Sequence, residues 1–184
     1  MKKQFIAKLL VLAMILAMVP ATLIAASATD NNVYYYSVSA DTATVVSASD
    51  IEIVDGELEI VAKVFNGAAS VSISEKVMDT IIDKVIEEKA EDLAIVIEAE
   101  GATKVDLNVP ASALSKFGKK TGADLSVVLG NVASIGIPSE SLESFGSVGA
   151  NAKIGAQNGA SIGFSIQVSG RPMKGIEGLT VVFE

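Results

Sequence analysis

The sequence predicts an α+β fold: a mostly antiparallel sheet built from repeated strand–short helix–strand units, with the helices on one face. Three observations predict it. Segments 73–81 (ISEKVMDTI), 109–117 (VPASALSKF) and 137–145 (IPSESLESF) align without gaps, with a β-branched residue first, Met or Leu five positions later and Ile or Phe eight positions later. Each is preceded by a strand-like run, at 69–73, 104–109 and 132–137. Each is followed by another, at 92–98, 124–129 and 151–156. Unit spacing shortens from 36 residues (Ile73 to Val109) to 28 (Val109 to Ile137), mostly in the helix. A period of that size is also the mark of a solenoid. With three units, a single sheet carrying the helices is the favoured expectation.

The elements follow in chain order. Residues 1–28 read as a secretory signal peptide: Lys2, Lys3 and Lys8 are positive, Leu9 to Val19 is an unbroken apolar run, Pro20 ends it, and Ala26-Ser27-Ala28 offers the small residues of a cleavage site. The competing reading, an uncleaved membrane anchor, is disfavoured by Pro20 and the Ala-x-Ala site. Residues 29–66 form an N-terminal β-strand region. Val33–Ser39 and Thr42–Ser49 are rich in β-branched and aromatic residues. Ile51–Val54 and Glu57–Phe65 flank Asp55-Gly56, a dipeptide that suits a type I′ hairpin because both central residues need positive φ.

Residues 67–184 form the repeated domain. Ser74 is the candidate cap of its first helix, where Val77, Met78, Ile81, Ile82, Val85 and Ile86 make one apolar stripe. Pro110 and Pro138 mark strand-to-helix junctions, since proline tolerates the first helical turn but not a central strand. Gly118 and Gly146 are expected to cap the second and third helices, and Gly101 and Gly130-Asn131 to turn hairpins. Strands at Ser161–Ser169 and Leu179–Phe183, joined by 170–175, extend the sheet. The chain stops in an apolar strand without a polar tail, so this strand either pairs inside the domain or belongs to a truncated C-terminus of a longer protein.

Composition bounds the chemistry. The chain has no His, no Cys and no Trp, with 14 basic against 22 acidic residues. Thiolate nucleophiles, Ser-His-Asp triads, disulfides and ordinary structural zinc sites are therefore excluded or improbable. Without the three leader lysines the balance is 11 basic to 22 acidic, a net of −11. Such a surface repels phosphate backbones, so no nucleic-acid partner is expected. Nor is a membrane partner expected after leader cleavage. Export without cysteine fits a Gram-positive bacterium better than a disulfide-stapled module.

Candidate sites each meet a stronger structural explanation. The carboxylate groups Glu87-Glu88 with Glu91-Asp92, Glu98 with Glu100, and Glu57 with Glu59 could supply an acid and a base. They read better as a solvated helix end and outward strand faces. Lys119-Lys120-Thr121 after Gly118 lacks the spacing of a phosphate loop and suits a helix C-terminus. Asp50, Asp55, Asp92, Asp106 and Asp124 lie near strand ends, where loop oxygens could hold calcium, yet no calcium-loop pattern is present. Tyr34-Tyr35-Tyr36 alternates faces in a strand and makes a poor sugar platform. We therefore expect no enzyme activity, no cofactor, and no catalytic, cofactor-binding or metal residues.

Residues 69–184 resemble a spacer region of Gram-positive bacterial cell-surface proteins that carry S-layer homology domains. The likeness rests on Val-Asp-Leu-Asn-Val-Pro-Ala-Ser-Ala-Leu, Ala-Ser-Ile-Gly-Ile-Pro-Ser-Glu-Ser-Leu, Ala-Asp-Leu-Ser-Val-Val-Leu and Gly-Leu-Thr-Val-Val-Phe. It implies a non-enzymatic exported structural or spacer module of the cell surface or cell wall. Cell-wall polymer or other surface-protein domains would be its partners, and no catalytic residue carries over. The chain itself contains no S-layer homology repeat, LPxTG-type signal or C-terminal membrane segment. The alternative is a module that binds cell-wall glycan or calcium.

Overall fold

The computed structural model describes residues 43–147, 149–173 and 175–183. The expected leader (1–28) and the expected strand at 33–39, with Tyr34–Tyr36, lie outside the described residues. Among the described residues no helix is long and apolar enough to cross a membrane.

The fold is α+β. In order it comprises β1 (Thr44–Val45), β2 (Ile53–Val54), β3 (Glu57–Val61), β4 (Val64–Phe65), β5 (Ala68–Ser72) and α1 (Glu75–Glu88). There follow β6 (Asp92–Glu98), β7 (Lys104–Pro110), α2 (Ala111–Thr121), β8 (Asp124–Leu129), β9 (Ala133–Ile137) and α3 (Ser139–Leu142). The chain continues through β10 (Asn151–Asn158), β11 (Ile162–Val168), β12 (Arg171–Pro172) and β13 (Thr180–Phe183).

Two sheets, rather than the single sheet expected, carry these strands. Sheet I runs β1-β5-β7-β10-β11-β12, with β4 also on β5; sheet II runs β13-β9-β8-β6-β3-β2. Antiparallel pairs are the majority, but the pairs β3–β6, β6–β8, β1–β5 and β5–β7 are parallel. The reason is the chain path. From β5 in sheet I the chain passes through α1 to β6 in sheet II, then crosses back to β7 in sheet I. It repeats the circuit through α2 to β8, so successive strands stack in the same direction. The turn at Gly101 is thus a passage between sheets and not a hairpin, with the Ala102 N–H donating to the Ala99 carbonyl at 3.0 Å. Gly130-Asn131 does turn a hairpin, β8 to β9 within sheet II. That hairpin reverses the path: β9, α3 and β10 run from sheet II to sheet I, and β10 lies antiparallel beside β7.

Local chemistry accounts for the boundaries. Asp55 and Gly56 have φ of 53° and 77°, as the β2–β3 hairpin requires. A second such pair, Asn66-Gly67 (φ 51° and 74°), turns β4 onto β5, and the strand expected from Glu57 to Phe65 is divided at 62–63 into β3 of sheet II and β4 of sheet I. Within the expected strand at Thr42–Ser49 the described residues hold β1, and the chain then turns through a short 3-10 helix at Ala48–Asp50. The Val77 N–H donates to Ser74 Oγ at 3.3 Å, capping α1, and Lys89 ends it in the left-handed region. Pro110 and Pro138 occupy the N-cap positions of α2 and α3.

Gly118 and Gly146 are not helix ends. Gly118 lies inside α2, whose C-cap is Gly122 at φ 66°. A Cβ on Gly118 would stand 2.6 Å from the Ser139 carbonyl oxygen, and one on Gly146 would stand 2.9 Å from Ser115 Cβ. Both glycines let α2 approach the segment around α3. Inward side chains of both sheets (Val71, Leu107 and Ile154; Leu58, Ile95 and Ile135) and of the helices (Met78, Ile81, Leu114, Phe117, Leu142) form one continuous core.

Candidate functional site

A cluster of charged and polar side chains lies on the outward side of sheet I. In β7, Val105, Leu107 and Val109 point into the core, so Lys104, Asp106 and Asn108 point out. Register places Ser70 of β5 and Gly155 of β10 on either side of Asp106, and Ser72 and Lys153 on either side of Asn108. Although outward, Asp106 is only 2% exposed. A Cβ at position 155 would collide with Asp106 Oδ1, so the absence of a side chain there leaves room for the carboxylate. Lys153 Nζ lies 2.9 Å and Lys104 Nζ 3.7 Å from Asp106 Oδ2. Both lysines thus form ion pairs with the one carboxylate.

The surrounding amides and hydroxyls are tied down as well. Asn108 Nδ2 donates to Ser70 Oγ at 2.9 Å and to the Val71 carbonyl at 3.3 Å. Gln157 Nε2 donates to Ser161 Oγ at 2.6 Å. Burial pushes the Lys104 ammonium below the ordinary lysine value; Asp106 opposes this and Lys153 adds to it. On the helices, Lys116 Nζ donates to Asp79 Oδ1 at 2.5 Å, joining α2 to α1, and this bond raises the Lys116 ammonium above its ordinary value.

The candidate carboxylates of the sequence are dispersed. Glu87 and Glu88 are exposed at the end of α1, with Glu91 and Asp92 exposed beyond it. Glu98, Glu100 and Glu59 are exposed, and Glu57 is half-buried. Of the five aspartates considered for calcium, Asp50, Asp55, Asp92 and Asp124 are exposed. Asp92 and Asp124 face each other across β6 and β8, and Asp124 Oδ1 accepts the Ser139 N–H at 2.9 Å, while Asp106 is already engaged by two ammonium groups. Among the described residues no three His, Cys, Asp or Glu side chains are grouped as a metal site would need. Lys119 and Lys120 are exposed in the last turn of α2, where they complement its dipole.

The Lys104–Asp106–Lys153 cluster was not among the sequence candidates as a unit. Alternation in Lys-Val-Asp-Leu-Asn-Val puts Lys104 and Asp106 on one face, but nothing local brings in Lys153 and Gly155 from β10. Chemically, the cluster is a compensated buried charge whose neighbours are bonded to one another. In comparison with known proteins no family model matches the chain, and no curated protein or solved structure matches it significantly.

Proposed function

We propose that the chain is a non-enzymatic exported structural or spacer module of a bacterial cell-surface, S-layer-associated protein, built from repeated strand–short helix–strand units. The observation that carries this reading is the state of the polar groups. Among the described residues, the one buried carboxylate is compensated by two lysines, and the other acids stand at exposed or half-buried positions. Catalysis needs groups with perturbed, unspent proton affinity gathered around a cleft. This arrangement instead holds a sheet together. The leader-like residues 1–28 and the acidic, cysteine-free composition support export. Fractionating a bacterial host that expresses the full chain tests the reading: the protein is expected in the wall or medium fraction. Retention in the cytosol would sink it.

A second reading, binding of cell-wall glycan, is favoured by the outward face of sheet I, where Asn108 and Lys153, and Lys104 and Gln157, are cross-strand neighbours. Its calcium form has less support, because Asp106 is committed to ammonium partners. Thermal melting with added calcium separates the two: no change in Tm at millimolar calcium is expected, and a rise would favour a calcium site.

A further inference from the structure

We propose that β13 is a self-association edge, pairing antiparallel with β13 of a second copy to make one continuous sheet II across two molecules. A strand edge exposes a row of backbone donors and acceptors that template another strand. Proteins usually blunt such edges with short strands, charges or proline. Four of the outer strands here follow that rule. β1, β2, β4 and β12 have two residues each; β12 consists of Arg171-Pro172, and β2 is flanked by Glu52 and Asp55. Among the described residues β13 lacks these devices, as does the outer side of β11 at 162–165, which β12 leaves unpaired; β13 is the outermost strand of its sheet. It has four residues, Thr180-Val181-Val182-Phe183, none charged and none proline. It pairs with β9 on one side. Val182, on the outward side, and Phe183, on the core side, are each 39% exposed.

The charge pattern selects a second copy as occupant. Carboxylates on the outward side of sheet II (Glu57, Glu59, Asp92, Glu98 and Asp124) all belong to β3, β6 and β8. β9 and β13 present only Ser134, Gly136, Thr180 and Val182 there. In a two-fold pair joined at β13, four uncharged strands separate the two β8 strands. At about 4.8 Å per strand they stand roughly 24 Å apart, beyond the Debye length of about 8 Å at physiological salt. A two-fold axis perpendicular to the sheet keeps outward residues outward. Centred on Val182, it sets Val182 against Val182 of the copy and Val181 against Phe183 of the copy. Apolar side chains then meet on both faces, and the half-exposed Phe183, already 6.5 Å from Phe164 between ring centroids, gains cover.

Sedimentation of the purified chain tests this. Wild type is expected at twice the monomer mass, and Val182→Lys, which places a charge on the edge, at the monomer mass. The chain has no cysteine, so mild oxidation of Val182→Cys should yield a covalent dimer through that residue alone. Should Val182→Lys fail to fold by circular dichroism, Thr180→Lys, exposed on the same strand, replaces it. A wild type that stays monomeric at every soluble concentration overturns the proposal. So does a dimer that survives the lysine variant, or a Val182→Cys chain that does not cross-link.

Discussion

A carboxylate buried as deeply as Asp106 keeps its charge only beside compensating cations, and here Lys153 and Lys104 supply them. Removing it strands two partly buried ammonium groups together. Asp106→Ala is therefore expected to cost about 3 kcal/mol of unfolding free energy, read as a lower urea midpoint at unchanged slope; a loss below about 0.5 kcal/mol, the scale of an ordinary surface change, would contradict it. Lys104 adds a pH signature. Its folded-state value lies below the ordinary 10.5, so between the two the unfolded chain binds more protons and this group's contribution to stability rises with pH. Lys116 behaves oppositely: raised by Asp79, its contribution is full below 10.5 and fades as pH climbs past its folded value. Unfolding series toward pH 10.5 should thus show wild type gaining on Lys104→Gln. A constant gap would refute this. At this scale alternation made the outward side of Lys104 and Asp106 legible. The third member, Lys153, lies far along the chain and becomes a neighbour only through the β7–β10 register.

The elements were more legible than their ends. Ser74, Asp55-Gly56, Pro110 and Pro138 carry local chemistry that acts within three or four residues, and each stands where that chemistry places it. Gly118 shows the converse. As a glycine near a helix end it reads as a cap, but its role is to let two elements touch, which no local pattern encodes. Replacing an interior helical glycine by alanine ordinarily stabilises by about 1 kcal/mol. At Gly118 the added Cβ would stand 2.6 Å from the backbone oxygen of Ser139, which cannot swing aside as a side chain can. Gly118→Ala is accordingly expected to lose about 1–2 kcal/mol, measured by thermal or urea unfolding; a gain would show that α2 and the Ser139 segment separate at little cost.

At the scale of the molecule, hydrophobic periodicity distinguishes strand from helix but does not name the sheet a strand joins. The segment 132–156 looks like its two predecessors because it too is strand, helix, strand. After the β8–β9 hairpin it nevertheless runs from sheet II to sheet I while they run from I to II. The Gly101 bend misleads in the same way, because a turn signal specifies a change of direction and leaves the next partner open. Composition speaks at this scale too: an acidic chain without Cys or His, opening on a basic and then apolar stretch ending at Ala26-Ser27-Ala28, supports the proposed export. Intact-mass measurement of the protein recovered from the wall and medium of an expressing bacterium tests that claim most directly. The account predicts a chain that begins at Thr29, lighter by residues 1–28; a full-length chain that begins at Met1 and stays inside the cell would contradict it.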